Sequence, residues 1–365
     1  MKVIAQTAAL QEALNLAGGI VATRTPKPIL QCIKLVAADD TLTLLATDLD
    51  VGARRQVTAV QIEEPGEALL PADRLGGIVR ECNEESITIE TENDTCHIRA
   101  AGSHFKIFGY DPGEYPAIAE FDSDADFAIG TDEISSMIGK TLFATAKAHS
   151  HYAIAGVLWE ASGKNLKMVA TDGHRLAMVK GSLDKAAAKD VSAVAPAKLM
   201  GLIQRLAGEG AQKLEVKIDE NQILVRTANV VLVSSLVQGN FPKYSDVIPT
   251  ETTNRATINS QEFQHRVRQA ALLTNEESRG VRISFESDKI TLSSRAPEAG
   301  EAEVTCAAKY DGQDMSIGFN PAFLVDAMRI IDADKISFEM NAPNKPAVIK
   351  TGSDFLYVIM PVSLE

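Results

Sequence analysis

Residues 69–82 read LLPADRLGGIVREC, residues 193–207 read AVAPAKLMGLIQRLA, and residues 318–331 read GFNPAFLVDAMRII. The pairs Pro71-Ala72, Pro196-Ala197 and Pro321-Ala322 within them stand 125 residues apart, twice over. Proline fits just inside a helix start, because the first N–H groups of a helix have no internal partner to lose. The same period aligns Leu75 with Met200 and Val325, and Ile78 with Ile203 and Met328. Two apolar rows three residues apart predict one buried helical stripe per copy. The chain reads as one unit written three times.

Other landmarks keep nearly the same spacing. Ala46-Thr47-Asp48 recurs as Ala170-Thr171-Asp172, and Gly113-Glu114-Tyr115-Pro116 recurs as Gly239-Asn240-Phe241-Pro242. Helical runs opening at Thr7, Thr131 and Ser260 place Leu10, Ile134 and Phe263 three residues after a hydroxyl that is expected to cap them. Alternating segments such as Thr41–Leu44, Ser86–Ile89 and Lys213–Ile218 predict half-buried strands. Each copy thus holds two helices and many strands, an α+β unit. Turn-rich stretches from Asp111 to Asp126 and from Gly239 to Thr253 predict boundaries, giving domains at 1–123, 124–250 and 251–365. A period near 125 residues is a whole domain, not a stacking solenoid repeat.

With 365 residues, 45% hydrophobic and 23% charged, the chain can build three cores of ordinary size, and neither disulfide, metal nor cofactor is expected. Cys32, Cys82, Cys96 and Cys306 have no C-x-x-C spacing and are expected to be buried thiols in a reducing compartment. The sequence opens on no signal-like pattern and holds no apolar run of about 18–20 residues, so a cytoplasmic protein without membrane contact is expected.

The net charge of −13 argues against a general nucleic-acid binder. The average conceals a segregation, since the six candidate helices together carry +2 and everything else −15. Arg80 recurs as Arg205, and Arg329 falls one residue short of the next repeat position. Lys140, Lys147, Lys198, Arg266 and Arg268 lie on neighbouring helices. Ordinary solvated helix faces and a weakly basic lining inside an acidic body both fit this pattern.

Three motifs point toward enzymology and fall short. Gly139-Lys140-Thr141 resembles the end of a phosphate-binding loop, but Ile134 stands where that loop requires glycine. His149-Ser150-His151 offers two imidazoles on one strand face without further ligands at a recognisable spacing. Thr171-Asp172-Gly173-His174-Arg175 gathers acid, base and cation, yet no nucleophile motif accompanies it, and its Thr-Asp recurs as a landmark of the repeat.

Residues 170–177, ATDGHRLA, together with Thr47-Asp48-Leu49, Pro28-Ile29-Leu30, Asn275-Glu276, Arg279-Gly280-Val281-Arg282, Gly318-Phe319-Asn320 and the ending Tyr357-Val358-Ile359-Met360-Pro361, resemble the beta subunit family of bacterial DNA polymerase III, the sliding clamps. The resemblance runs over nearly the whole chain. It implies three DNA-clamp domains, each of two helices packed on antiparallel sheets, in a head-to-tail homodimer closed into a ring around duplex DNA. Such a ring has no catalytic site and tethers the replicative polymerase. It also implies a groove that receives short linear peptides from polymerases, the clamp loader and repair proteins. Its wall would comprise Ile154, Thr171, Gly173, His174, Arg175 and Leu176 from one side, and Pro242, Val247, Pro346, Val358, Met360 and Pro361 from the other, with His174 and Arg175 as polar rim. The resemblance places Arg24 and Tyr152 near DNA, with Ala153 standing where some relatives carry a second aromatic, and Pro346 and Glu365 departing from the pattern. It joins the subunits through Phe105 and Ile107 against Leu272 and Leu273, although the two leucines could equally be intradomain core.

Elementary geometry agrees with a ring. Twelve helices spaced about 9–10 Å apart make a circle about 35 Å across, and subtracting about 5 Å of helix radius per side leaves about 25 Å, wide enough for duplex DNA. A sliding ring needs only weak basic character, because strong phosphate contacts would arrest it. The low aromatic content, 5%, fits poorly with a single-strand stacking platform.

Overall fold

The computed structural model describes residues 1–92, 94–146, 153–208, 210, 212–274 and 280–363. One order of elements runs through it three times, with one extra strand, Val60–Glu64, in the first copy. The first copy contains β1 (Lys2–Gln6), α1 (Thr7–Gly18), β2 (Cys32–Ala38), β3 (Thr41–Thr47), β4 (Val51–Val57), β5 (Val60–Glu64), β6 (Gly66–Pro71), α2 (Ala72–Glu81), β7 (Ser86–Glu92), β8 (Thr95–Ala100) and β9 (Ser103–Phe108). The second contains β10 (Phe127–Gly130), α3 (Thr131–Gly139), β11 (Gly156–Ser162), β12 (Asn165–Thr171), β13 (Arg175–Ser182), β14 (Val191–Pro196), α4 (Ala197–Gly208), β15 (Lys213–Ile218), β16 (Gln222–Arg226) and β17 (Val230–Ser235). The third contains β18 (Asn254–Asn259), α5 (Ser260–Ala271), β19 (Val281–Glu286), β20 (Lys289–Ala296), β21 (Gly300–Asp311), β22 (Met315–Phe319), α6 (Pro321–Ile330), β23 (Lys335–Met340), β24 (Ala347–Thr351) and β25 (Phe355–Ile359).

The chain packs as two compact units, Met1–Thr131 with Gly201–Leu236, and Asp132–Met200 with Val237–Glu365. The second copy is divided between them because its strands extend the sheets of both neighbours. In the first unit β17 pairs antiparallel with β4, giving the order β10-β15-β16-β17-β4-β3-β2-β6. A separate sheet there runs β5-β1-β7-β8-β9. In the second unit β13 pairs antiparallel with β25 inside a sheet of twelve strands.

The helix starts differ from expectation in instructive ways. Thr7 and Ser260 do not cap α1 and α5. Each is the first helical residue, and its hydroxyl donates away from the helix, Thr7 to the carbonyl of Glu84 and Ser260 to that of Ala333. The cap of α5 is Asn259, whose side chain accepts from the amide of Glu262 at 2.9 Å. Only Pro321 sits inside its helix, behind an Asn320 cap, whereas Pro71 and Pro196 end the strands before α2 and α4.

Because α6 begins one residue earlier, its buried stripe is displaced by one. Leu324, Ala327 and Met328 are buried while Val325 is only half-buried. In α2, which starts in register with α4, Leu75 keeps its place but Val79 is buried and Ile78 half-buried. Counted from the helix start, Arg80, Arg205 and Arg329 are each the ninth residue. The apparent shortfall of Arg329 was a property of the period, not of the helix.

In the second unit the third copy is filled by rings, with Phe338 against Phe263, Phe285 and Phe319 at centroid distances of 6.0, 5.4 and 5.7 Å. Cys32, Cys96 and Cys306 are buried free thiols, and burial pushes them up to about 11, 12 and 11. Cys82 is only half-buried, at the end of α2.

Candidate functional site

The Thr-Asp landmarks build the same loop twice. Thr171 ends β12, and its hydroxyl donates to the carbonyl of Arg175 at 2.6 Å and accepts from the amide of Gly173 at 3.1 Å. Asp172 accepts from the amides of His174 and Arg175 at 3.0 and 3.1 Å. In the first copy Thr47 bonds the carbonyl of Val51 and the amide of Leu49, both at 3.0 Å, and Asp48 bonds the amides of Asp50 and Val51. The third loop position has a left-handed backbone in both, φ 89° at Gly173 and φ 83° at Leu49. Glycine adopts that conformation freely, whereas leucine pays about 1–3 kcal/mol.

Arg175 is the hub of the second loop. Its side chain is 10% exposed, and its Nε donates to Asp172 at 3.0 Å, one terminal nitrogen to Asp326 at 2.8 Å and the other to the carbonyl of Phe143 at 2.9 Å. The guanidinium also lies 4.5 Å from the ring centre of Phe323. Burial opposes its charge, but the bond to Asp326 and the nearby Tyr357 and Asp172 outweigh it and hold the group above its ordinary value. Arg175 is therefore an internal strut rather than the polar rim expected of it, and the rim falls to the exposed His174, whose ring stacks 6.3 Å from Phe323. Asp172 is consumed in the same network, which explains why Thr-Asp behaves as a landmark of the fold. Sequence reasoning missed Phe143, Phe323 and Asp326. Asp326 stands 151 positions from Arg175, and no local spacing connects them.

Next to this hub lies an apolar floor. Leu176 is in register with Val358 across the β13–β25 ladder, and both are buried among Ala153, Leu158, Val169, Val194 and Val348. Val358 and Ile359 are both core residues, as befits the last strand, and Val358 belongs to this floor. Packed against it are the partly buried Met178, Val237, Phe241, Tyr244, Ile248 and Leu356, while Ile154, Met360, Pro361 and Pro346, just before β24, are half-buried. The amide of Met360 donates to the carbonyl of His174 at 2.9 Å, tying the end of β25 to the loop. Pro242 and Val247 are exposed on the connection after β17. That connection is pinned where the Tyr244 hydroxyl donates to Glu160 at 2.6 Å and accepts from Lys167 at 3.0 Å. Of the predicted wall residues, Leu176 and Val358 thus share one buried apolar cluster, and the loop carrying His174 is bonded to the residue that follows the same strand.

In the first unit a glycine stands at the position of Leu176, and its missing side chain is supplied by the connection after β9. Gly52 faces Thr47 and Val233 in the ladders as Leu176 faces Thr171 and Val358. A Cβ on Gly52 would stand 2.9 Å from Cγ2 of Ile118. Ile118, buried with Tyr115 against Leu45 and Val233, occupies that space. Tyr115 locks the connection by accepting from the amide of Thr47 at 2.9 Å and donating to the carbonyl of Cys32 at 3.2 Å.

The basic residues divide by availability. Arg24, Arg80, Lys198, Arg205 and Arg268 are exposed, and Lys140 is half-buried after α3. The guanidinium of Arg205 lies against Gly19 at the end of α1. Arg266 is half-buried, bonded to Gln269 at 3.1 Å and 3.7 Å from Glu262. Lys147, His149, His151, Tyr152, Asn275, Glu276, Arg279 and Glu365 lie outside the described residues. Of the expected interface residues, Phe105 is 37% exposed and Leu272 80% exposed, so Leu272 is not core, while Ile107 and Leu273 are half-buried.

Comparison with known proteins accounts for this arrangement. The family models for the N-terminal, central and C-terminal domains of the DNA polymerase III beta subunit match residues 1–119, 128–243 and 245–363. The chain is 30% identical over 349 residues to the beta sliding clamp of Chlamydia muridarum, covering 95% of this chain and 94% of that protein. It is 29% identical over 355 residues to that of Bacillus subtilis, covering 94% of each. Among solved structures, the sliding clamp of Bacillus subtilis superposes with a TM-score of 0.95 at 28% identity, and that of Pseudomonas aeruginosa bound to griselimycin with 0.95 at 29%, each over 100% of both chains. Three repeated α+β domains, matched in order by the three domains of one family, leave a single assignment: the chain belongs to the bacterial DNA polymerase III beta subunit family, the sliding clamps.

Proposed function

We propose that two copies of this chain close head to tail into a ring that encircles duplex DNA and holds the replicative polymerase on it, without catalysis of its own. The protein is a processivity factor acting in the cytoplasm, where the clamp loader opens the ring, and it consists of domains 1–123, 124–250 and 251–365. The observation that carries this reading is the repeated arginine. Arg80, Arg205 and Arg329 occupy the same point of the second helix in every copy, all exposed, in a body of net charge −13. A basic position repeated with the domain gives a charge pattern with no single grip, which suits movement along DNA more than binding at a site. Arg24, Lys140, Lys147, Tyr152, Lys198, Arg266 and Arg268 complete that DNA-facing set.

Polymerases, the clamp loader and repair proteins dock short linear peptides on the floor formed by Leu176 and Val358. Met360 is the adaptable wall and His174 the rim. Subunits join through Phe105 and Ile107 against Leu272 and Leu273. An exposed leucine beside a half-buried one has little reason to face water in a monomer.

Negative-stain electron microscopy of the purified chain at micromolar concentration tests the reading. Closed two-chain rings with a central hole are expected. Compact monomers or open crescents throughout the sample overturn ring closure by this chain alone.

A further inference from the structure

At the outer end of the five-stranded sheet, β9 pairs with β8, and among the described residues no ladder forms on its other edge. In the second unit β21 pairs with β20 from Gly300 to Ala307, while β18 reaches only Ala308–Asp311 on its other side. Among the described residues, the Gly300–Ala307 edge has no second ladder. Open edges of six to eight residues are exposed pairing templates, and a closed assembly removes them.

The side chains of the two edges are complementary on both faces. On β9, Phe105 and Ile107 share the face of the buried Ile98 and Cys96, and on β21, Ala302 and Val304 share the face of the buried Leu292 and Cys306. On the opposite faces stand His104 and Lys106 on one strand and Glu301 and Glu303 on the other. Glu301 is paired with Arg295 at 3.0 Å, whereas Glu303 makes no ion pair among the described residues.

His104 has a partner that decides its chemistry. Its Nε2 lies 2.9 Å from Nδ1 of His97, with the rings stacked at 5.1 Å. A neutral pair holds one proton in that contact, so His104 either donates to His97 or keeps an N–H on its outward nitrogen. One added proton allows both, a bond to His97 and a charged bond outward. The charged groups facing this pair are Glu90 on β7, Arg99 on β8 and Lys106 on β9, with Lys2 on β1 opposite Glu90. Arg99 is already bonded to Glu90.

We propose that the His97–His104 pair makes ring closure proton-linked, with His104 of one copy taking up a proton to meet Glu303 of the next. This rests on the head-to-tail reading above. Histidine is the side chain that changes charge between pH 5 and 8, and a facing carboxylate favours its charged form. A closed two-chain ring has two such junctions, and raising the proton affinity of the site at each by one logarithmic unit tightens the dimer by up to about a hundredfold as pH falls through that range.

The test is the dimer dissociation constant of the full chain by sedimentation velocity between pH 8 and pH 6, for the natural protein, His104→Gln and Glu303→Gln. The expected result is a dimer about thirty- to a hundredfold tighter at pH 6, with the pH slope abolished in both variants. A slope that persists in His104→Gln, or a natural dimer with no slope, overturns the proposal while leaving the ring intact. A chain that stays monomeric at every pH and concentration overturns the ring reading itself.

Discussion

Replacing Arg175 by alanine removes three hydrogen bonds and two ring contacts at once, leaving Asp172 with its two backbone amides and Asp326 with the longer Arg329 pair at 3.6 Å. Truncating one member of a buried charge network costs about 3–5 kcal/mol, because the remaining charge keeps its burial and loses its partner. Asp326 is 32% exposed and can recover some hydration, so the lower end, about 3 kcal/mol, applies here. For a unit of this size that lowers Tm by about 6–12 °C. Arg175→Lys keeps the charge but cannot form the planar fork, and it should fall between the two. Differential scanning calorimetry reads the shift, and fluorescence anisotropy with a leucine-anchored peptide reads the groove. Loss of stability and of peptide affinity together is expected, since the loop carrying His174 depends on the strut. A variant with unchanged Tm and weakened peptide binding would refute this reasoning and return Arg175 to the rim.

Met360→Ala removes a partly exposed wall of the groove and should weaken binding of that peptide about tenfold without changing the Tm, as measured by anisotropy and calorimetry. Glu339, whose side chain is 3% exposed, is pushed up by burial but held below its ordinary value by Lys350, Thr252 and Ser337. Its contribution is therefore present above the ordinary carboxylate value of 4.5 and lost as the pH falls through the lowered one. Glu339→Gln should flatten that acid limb in pH-dependent melts. Ellman's reagent should modify Cys82 first, with Cys32, Cys96 and Cys306 reacting only on unfolding, because burial keeps them as thiols; simultaneous reaction of all four in the native protein would contradict the core described here.

The threefold repeat was legible in the sequence because the proline and the apolar rows are local signals present in every copy, with Thr-Asp repeating in the first two. Their register was less legible. Val325 and Ile78 matched the period, yet the helix start decides which residues face the core, and α6 starts one residue early. Hydroxyls at Thr7 and Ser260 looked like caps, but they satisfy carbonyls 77 and 73 positions away. The groove followed the same rule. Family resemblance singled out Leu176 and Val358, which the fold buries in one cluster, whereas the role of Arg175 depended on Phe143, Phe323 and Asp326, which only the folded chain brings to it.

Ile118 in the place that Leu176 takes in the other unit has a consequence for traffic. A repeated domain offers a similar floor at each junction, but in the first unit the floor is completed by a side chain from the connection after β9 instead of one from the strand itself. On the reading proposed above, a two-chain ring would present one peptide berth per chain, and polymerase, loader and repair proteins would share the two in turn, in an order set by affinity and abundance.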